Sequence, residues 1–536
     1  MSIQKTNISF EKTNSFSNLA IDYLVQDKKI SSFVNRFPSK ENLQKQILQK
    51  QKTDINRILL HQVILSQYSK IDVHKNVKNN IENLLLPNTF TICTAHQPCI
   101  FLGPLYIIYK IAHAISLSQH CKKLFPENNF IPIFYMGTED NDIDEIGTIH
   151  VDSKKIKWET AQTGACGRMN TSDLKSETAY MISLLNQNVE HEKWLIQKLN
   201  EAYHSNESLA NATRIFTNAL FEKYGLLIID ADNHLLKSAF EEVMKDELLN
   251  ESSEKLVASS IEKLKANYKA QANGRAINLF YLHENIRERI EKIGDKWKVH
   301  NTNISFDKEA IFNELNTYPE RFSPNVILRP LYQETILPNV AFVGGGGELA
   351  YWLELKSVFD YHHCVYPILF LRNSFLWINH HSFLKMEQLH LNQEDVFLPK
   401  EKLYKKIISK NFYINDLSLK INQIQNLYIE IEQIANKINR NLAKSTVAHH
   451  AKATKINDRL IQKFSTQIKR VEEDNINQID TVKNNLFPSN TLQERYDNFI
   501  PYFKKYGENW IEYIINAHSN LESEFIIFTE KESSIL

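Results

Sequence analysis

The sequence predicts an α/β fold in which a parallel, doubly wound sheet is followed by a helical coiled coil. Two patterns in the 536 residues lead to this prediction. Short β-favouring runs alternate with helical stretches over the middle of the chain, as in strands joined by crossover helices. In the last third, apolar residues instead recur at intervals of four and three, which is the repeat of a coiled coil.

The strand prediction is based on five short apolar runs. Residues 1–85 precede them and indicate a helical N-terminal region, with apolar residues at near-helical spacing. The runs are residues 90–94, 130–136, 226–230, 341–343 and 366–371. Longer stretches near residues 155–210 and 240–325 exceed what such a sheet needs, so we expect insertions there. The predicted regions are therefore residues 1–85, 86–385 (the sheet with its insertions) and 386–536 (the helical coiled-coil region).

The coiled-coil prediction is based on apolar residues spaced 4-3-4-3-4-3-4, namely Leu417, Ile421, Ile424, Tyr428, Ile431, Ala435, Ile438 and Leu442. A second helical pattern runs from about Ile456 to Val471. Residues 448–451 contain no helix breaker, so the sequence leaves the position of a turn open. Either an antiparallel hairpin or pairing with a second subunit would bury the apolar positions, and we expect a homodimer through the coiled coil.

Composition excludes several classes of protein. Lys+Arg and Asp+Glu both number 63, and this zero net charge argues against a nucleic-acid partner. The five cysteines form no Cys-x-x-Cys pair, which argues against a zinc site or a disulfide framework and favours a reducing compartment. No signal peptide and no apolar run of about 20 residues appears, so we expect a cytoplasmic protein without a membrane partner.

Three loops at predicted strand ends carry residues suited to ligand binding. Gly344–Gly347 stand between a strand and a helix that begins near Glu348. Such a loop favours a phosphate or carboxylate, although a turn without a ligand is the alternative. The acidic run 138–145 could bind Mg²⁺, sugar hydroxyls or an ammonium group, or form a solvated loop. His96 follows the first strand and fits a structural or a catalytic role equally well.

Several motifs follow one another in a fixed order from about residue 85 to the C-terminus. They are Thr94…Gln97…Gly103-Pro104-Leu105-Tyr106, Glu139-Asp140-Asn141-Asp142, Leu328-Arg329-Pro330, Gly344-Gly345…Gly347-Glu348…Tyr351-Trp352 and Leu492-Gln493-Glu494-Arg495. Together they resemble the BshC family of bacillithiol biosynthesis. The resemblance implies a Rossmann-like core similar to class I aminoacyl-tRNA synthetases, with insertions and a C-terminal coiled coil. It also implies a ligase that joins L-cysteine to the amine of glucosaminyl malate in the last step of bacillithiol biosynthesis.

The resemblance further implies roles for individual residues. Glu139, Asp140 and Asp142 are the candidate catalytic residues, and no metal ligands are expected. Gln493, Glu494 and Arg495 either contact a nucleotide or join the coiled coil to the core. Substrate contacts are expected from His96, Gln97, Tyr106, Asn141, Arg329, Gly344, Gly345, Gly346, Gly347, Glu348 and Trp352.

Two departures from the family pattern refine these roles. Many members have Gly and Gln where Ala95 and His96 stand, so His96 fits hydrogen bonding better than proton transfer. Many also have His at the position of Asn141. Its absence leaves Glu139 and Asp142 as the stronger candidates for the base that accepts the amine proton.

The implied reaction needs an activated cysteine, because a carboxylate is a poor acylating group. ATP is the simplest source of activation, as an acyl-adenylate or acyl-phosphate, with Mg²⁺ as an optional ion. The sequence has no recognisable ATP motif, so ATP use follows from this chemistry alone. The glycine loop and the helix start at Leu105 would hold phosphate or malate carboxylates, and Arg329 would bind a carboxylate. Two other functions stay open: another nucleotide-dependent aminoacyl transferase, and a non-catalytic coiled-coil scaffold.

Overall fold

The computed structural model describes residues 2–204, 207–271, 274–517 and 521–532. The chain divides into two units. The larger unit consists of Ser15–Phe375 and Glu494–Ile526, and the smaller one of Met1–Asn14, Leu376–Gln493 and Ile527–Leu536. Residues 15–85 therefore fall in the same unit as the middle of the chain, and the predicted domain limits at residues 85 and 385 stay predictions.

A five-stranded parallel sheet forms the core of the larger unit, and its strands coincide with the five predicted runs. In chain order they are β1 (Thr89–His96), β2 (Asn129–Met136), β3 (Leu227–Asp230), β4 (Asn339–Gly344) and β5 (Ile368–Leu371). Their spatial order is β5-β4-β1-β2-β3, and every neighbouring pair is parallel. The strands are buried along nearly their whole length, which explains their continuous apolar sequences. The predicted α/β fold with a parallel sheet is confirmed.

The Leu105–Leu124 helix connects β1 to β2, packs against both strands and supplies two side chains of the cavity described below. The chain enters this helix through Gly103, whose φ is +57°. A Cβ atom at this position would lie 2.8 Å from the Cβ atom of Cys99, so the turn requires glycine. The Asn498 side-chain amide donates hydrogen bonds to the carbonyls of Phe101 (3.0 Å) and Gly103 (2.8 Å) and fixes the direction of the helix.

The other elements of the larger unit precede, separate or follow the five strands along the chain. Before β1 come the helices Asn18–Leu24, Lys40–Lys50, Arg57–Gln67 and Lys75–Asn83. Between β2 and β3 lie helix Ile143–Ile146, the hairpin Thr148–Val151 and Lys154–Lys157, and helices Lys175–Ser183, Glu190–Tyr203 and Leu209–Phe221. Between β3 and β4 lie helices His234–Ser238, Glu241–Asn250, Ser252–Lys265, Lys308–Thr317 and Arg329–Ile336. The same segment forms an antiparallel sheet in the order Ser305–Phe306, Lys296–Val299, Ile286–Ile293, Leu279–His283 and Phe322–Pro324. Gly346–Leu353 and Lys356–Tyr361 precede β5, and helices Ile500–Tyr506 and Glu508–Asn516 follow in the C-terminal part.

The smaller unit is mainly helical. Its helices are His380–Gln388, Lys400–Lys410, Phe412–Ile438, Arg440–Val471 and Glu473–Leu486. Most of a three-stranded sheet, in the order Ser2–Ile8, Phe525–Lys531 and Ser374–Ile378, belongs to it as well. Across the described ranges, no helix combines the length and the apolar character that a membrane crossing requires.

The coiled coil is a hairpin of the Phe412–Ile438 and Arg440–Val471 helices, which pack against each other. The turn falls at Asn439, whose side-chain oxygen accepts a hydrogen bond from the Leu442 N–H at 2.8 Å and caps the second helix. The predicted apolar repeat is therefore wrong at its end, because Leu442 belongs to the second helix. Residues 448–451 lie inside that helix, and Asn439 was the sequence signal for the turn.

Candidate active site

The strand order reverses beside β1, because the chain continues to β2 on one side while β4 occupies the other. In open parallel sheets, ligands bind beyond the carboxyl ends of the strands at such a reversal. A cavity of about 480 Å³ is lined by the segments that follow β1, β2 and β4, at this reversal. This cavity is the candidate active site.

Most of the predicted site residues line this cavity. They are His96, Gln97, Tyr106, Glu139, Asp140, Arg329, Gly345, Gly346, Gly347, Glu348 and Arg495. The predicted residues outside its lining are Asn141, Asp142, Gly344, Trp352, Gln493 and Glu494.

Two of these outside positions correct the prediction. Trp352 is fully buried and stacks on Phe342 with ring centroids 4.5 Å apart, so it is a core residue and not a substrate contact. Asp142 caps the Ile143–Ile146 helix, where its carboxylate accepts a hydrogen bond from the Glu145 N–H at 3.1 Å. This position does not support the predicted catalytic role of Asp142.

His96 is held by hydrogen bonds at both ring nitrogens. Nδ1 lies 3.1 Å from the Gln97 carbonyl, which can only accept, so Nδ1 carries the proton. Nε2 then accepts a hydrogen bond from the Tyr106 hydroxyl at 2.9 Å. Burial, with Lys110 nearby, lowers the pKa of His96 to about 3. His96 is therefore a neutral side chain that orients Tyr106, which fits hydrogen bonding better than proton transfer.

The two cavity acids after β2 have different partners. Glu139 is almost fully buried and forms an ion pair with Lys237. Burial raises the pKa of the Glu139 carboxyl, while Lys237 opposes that rise. Asp140 accepts a hydrogen bond from the Gln97 side chain at 3.1 Å and lies 3.8 Å from Arg287. The same arginine donates to the Asn141 side chain at 3.1 Å, which places Asn141 as a support for the cavity wall.

The described residues of the cavity provide no preformed set of metal ligands. Within the part of the chain that the structure describes, His, Cys, Asp and Glu side chains form no group of three or more arranged to hold a metal ion. An Mg²⁺ ion at this cavity would therefore take most of its ligands from water or a substrate.

The glycine loop provides space rather than an anion site. The Gly345 N–H donates to Glu348 Oε2 at 2.8 Å, and Lys110 Nζ lies 2.5 Å from the same oxygen. The start of the Gly346–Leu353 helix thus already has a carboxylate of the protein, paired with Lys110, which argues against a second anion on the Gly345 N–H. A Cβ atom at Gly347 would meet no atom within 4 Å. At the other helix start, the Leu105 N–H donates to the Asp497 carbonyl at 2.8 Å, which argues against the predicted anion site there.

Arg329 is a cavity cation that forms no ion pair with a described residue, although Glu348 acts on it electrostatically. Its guanidinium donates hydrogen bonds to Gln333 (3.0 Å) and to the Tyr351 hydroxyl (3.1 Å), and it forms no ion pair with any described residue. The Gln333 amide in turn donates to Glu334 at 2.9 Å, which fixes the orientation of its oxygen toward Arg329. The charge of Arg329 is therefore available to a carboxylate in the cavity.

The buried carboxyl group of Glu334 gives the fold a pH dependence. Burial raises the pKa of Glu334 from its ordinary 4.5 to about 7, so the folded chain holds a proton that the unfolded chain loses between these values. Stability therefore falls as pH rises through this window, by about 3 kcal/mol from this group. We expect Glu334→Gln to gain stability relative to the wild type between pH 5 and pH 8. Urea unfolding at both values measures this, and a pH-independent difference would contradict it.

The three residues 493–495 have separate roles. Gln493 is buried and exchanges hydrogen bonds with the backbone of Trp377, at 2.9 and 3.3 Å. Glu494 forms a bidentate buried ion pair with Arg372, whose two terminal guanidinium nitrogens donate to the carboxylate oxygens at 2.6 and 2.9 Å. Their side chains are thus used inside the protein, which argues against the predicted nucleotide contacts. Arg495 lines the cavity.

Loss of Glu494 is expected to destabilise the protein strongly. Both partners of the pair are at most 3% exposed, so Glu494→Ala leaves Arg372 charged and buried. We expect a loss of about 3–5 kcal/mol in the free energy of unfolding, measured by urea titration. The matched double variant Arg372→Met/Glu494→Leu removes both charges and should recover most of it. A double variant as unstable as Glu494→Ala would show that burial of an unpaired charge is not the cause.

Several cavity residues were not predicted as site residues, although Glu145 belongs to the acidic run and Tyr351 to a family motif. They are Lys110, Tyr135, Glu145, Gln271, Arg287, Asn325, Tyr351 and Arg372. Lys110 and Arg372 interrupt strongly apolar stretches, and a single charge in such a stretch was a usable signal. Gln271, Arg287 and Asn325 come from the long segment between β3 and β4, where no sequence pattern points to the cavity.

Comparison with known proteins agrees with this architecture. The family model for the BshC N-terminal Rossmann-like domain matches residues 3–373, and the model for the BshC C-terminal coiled-coil domain matches residues 375–530. A relative from Flavobacterium johnsoniae, named as a candidate cysteine ligase BshC, is 39% identical over 97% of this chain and 99% of its own length. Relatives with the same name from Flavobacterium psychrophilum (40%) and Christiangramia forsetii (39%) each match 97% of this chain and 98% of their own length. The chain belongs to the BshC family of bacillithiol biosynthesis, whose relatives are named as candidate cysteine ligases.

Proposed function

We propose that this protein forms the amide bond between the carboxyl group of L-cysteine and the amine of glucosaminyl malate, as the last step of bacillithiol biosynthesis. The observation that carries the proposal is the combination of charges in one cavity. Glu139, Asp140 and Glu145 supply carboxylates, and Arg329 supplies a cation that no described acid neutralises. A substrate that carries both an amine and carboxylates matches this combination.

In this proposal most of the cavity residues position the substrate, and one of them accepts a proton. Arg329 would bind a malate carboxylate through its planar guanidinium. Tyr106, whose hydroxyl donates to the neutral His96, would orient the sugar by accepting a hydrogen bond at the same hydroxyl. Glu139 would accept the proton that the amine loses as its nitrogen forms the bond to the acyl carbon. The leaving group departs from that carbon in the same addition–elimination sequence.

ATP is the proposed source of cysteine activation, with Mg²⁺ as its counterion. Activation is required because an unactivated carboxylate has no adequate leaving group. Of the three residues predicted for nucleotide contact, Arg495 is the one whose side chain lines the cavity and would bind phosphate oxygens.

Mass spectrometry of the purified chain with cysteine and glucosaminyl malate tests the function. We expect bacillithiol only when Mg·ATP is present, together with AMP or ADP, which identifies the activated form. Product without ATP would overturn the activation chemistry. Saturable binding without product under any condition would overturn the ligase proposal in favour of a binding role.

We also propose that a second copy of the chain covers the coiled-coil hairpin. The exposed side chains Ile424, Leu427, Ile431, Ile434 and Ile438 form a stripe spaced 3-4-3-4, and each is at least 40% exposed. This spacing fits the apolar stripe of a second helix. Light scattering should give a dimer mass for the wild type and a monomer mass for Ile431→Glu. A monomeric wild type would contradict the proposal.

The free state of the cysteines fits a cytoplasmic location. All five are free in the structure, and four of them are buried, as in proteins of reducing compartments. Alkylation of thiols in intact cells, followed by mass spectrometry of the protein, measures which cysteines are reduced. Reduced thiols would agree with a cytoplasmic location, and a disulfide would contradict it.

A further inference from the structure

Lys237 contacts the buried side of Glu139. It lies in the His234–Ser238 helix and has no exposed surface. Its Nζ donates one hydrogen bond to Glu139 Oε1 and another to the Phe322 carbonyl at 2.6 Å. Glu139 lines the cavity, whereas Lys237 does not. No hydrogen bond joins Glu139 Oε2 to any residue in the described ranges, so this oxygen is left for a ligand.

Other charged groups near Glu139 do not replace this contact. Asp232 adds to the burial effect that raises the Glu139 pKa, while Lys237 and, more weakly, Arg287 lower it. Arg287 is hydrogen-bonded to Asn141. Three further titratable groups interact electrostatically with Glu139, namely Tyr135 on β2, Arg168 after the Lys154–Lys157 strand and Tyr332 in the Arg329–Ile336 helix. Arg168 donates two hydrogen bonds to Asp232, at 2.6 and 2.7 Å, so its charge is already matched.

We propose that Lys237 is a positioning residue for the ligation, which keeps Glu139 ionised and its Oε2 atom free to accept the amine proton. This role depends on the proposed function. In the step, the amine nitrogen bonds to the acyl carbon, the bond from that carbon to the leaving group breaks, and one N–H proton passes to Oε2. A buried carboxylate without its cation takes up a proton from solvent and has no capacity left for this one.

The test is the pH dependence of kcat/KM in Lys237→Gln, which keeps a hydrogen-bond donor and removes the charge. We expect its acidic limb to move upward by at least about one pH unit, with a loss of more than about tenfold at neutral pH that is partly recovered at high pH. Lys237→Arg keeps the charge and should retain the wild-type limb. A uniform loss at every pH, with an unmoved limb, would overturn the role, since a purely structural defect has that signature.

Infrared difference spectra provide a readout that needs no turnover. The carboxyl band present in the wild type and absent in Glu139→Gln reports the ionisation of Glu139. We expect it to titrate at higher pH in Lys237→Gln than in the wild type. An unchanged titration would overturn the inference even if the wild type makes bacillithiol. A shifted titration in a chain that makes no product would instead overturn the proposed function and leave the effect of Lys237 on Glu139 established.

Discussion

Replacement of Glu139 by Gln is expected to lower kcat by about 10²- to 10⁴-fold, which is the usual contribution of a general base. Gln has the same shape and can still accept the hydrogen bond from Lys237, but its amide cannot take up a proton. Substrate affinity should change little, because Arg329 and the cavity-lining residues Gly345, Gly346 and Gly347 stay in place. Steady-state kinetics with mass-spectrometric detection of the product measures both quantities.

Asp144→Asn is the matched control for this variant. Asp144 belongs to the same acidic run, is exposed, and pairs with Lys157 at 3.1 Å outside the cavity lining. Its activity should stay within about twofold of the wild type, as for most surface substitutions. Full activity of Glu139→Gln would exclude Glu139 as the base and leave Asp140 as the remaining acid that follows β2 directly.

Replacement of Gly347 by Leu is expected to lower the catalytic efficiency without lowering the stability of the protein. Gly347 lines the cavity, and a Cβ atom there meets nothing within 4 Å, so a larger side chain has room to extend without disturbing the core. Leu is also the better helix former by about 1 kcal/mol, and Gly347 lies in the first turn of the Gly346–Leu353 helix. We expect an unchanged or raised Tm, together with a loss of about 10²-fold or more in kcat/KM because the substrate is displaced.

Gly347→Ala controls for helix propensity, because it gives the same gain with a single methyl group. Its kcat/KM should fall much less than that of the Leu variant. Isothermal titration with glucosaminyl malate and a thermal melt of both variants complete the comparison. Wild-type affinity in the Leu variant would show that substrate does not occupy the space beside Gly347.

The sheet could be predicted from sequence because its strands are buried on both faces. Each of the five is a continuous apolar run, and such runs stand out against the polar segments between them. The order of the strands did not follow from these runs, because their pairing depends on contacts between distant segments. The hairpin turn was missed for a different reason: the apolar repeat continues across Asn439, and only the capping preference of that residue indicates a break.

The site could be predicted in part, since loops at the ends of parallel strands meet at one edge of the sheet. This rule brings together Gln97, Glu139 and Gly345. It does not identify the partner of each charge. The ion pairs of Glu348 and Glu494 were not predicted, because their cationic partners, Lys110 and Arg372, lie more than a hundred residues away in sequence. Lys237 was missed for the same reason, as it is 98 residues from Glu139.

A crystal structure of Glu139→Gln with glucosaminyl malate would locate the substrate, because this variant should bind it without consuming it. We expect the sugar amine within hydrogen-bond distance of the side chain at position 139 and a malate carboxylate on Arg329. A ligand bound elsewhere would contradict it. The second cavity, of about 430 Å³ and lined by Arg168, Asp232 and His234, is the alternative place to look.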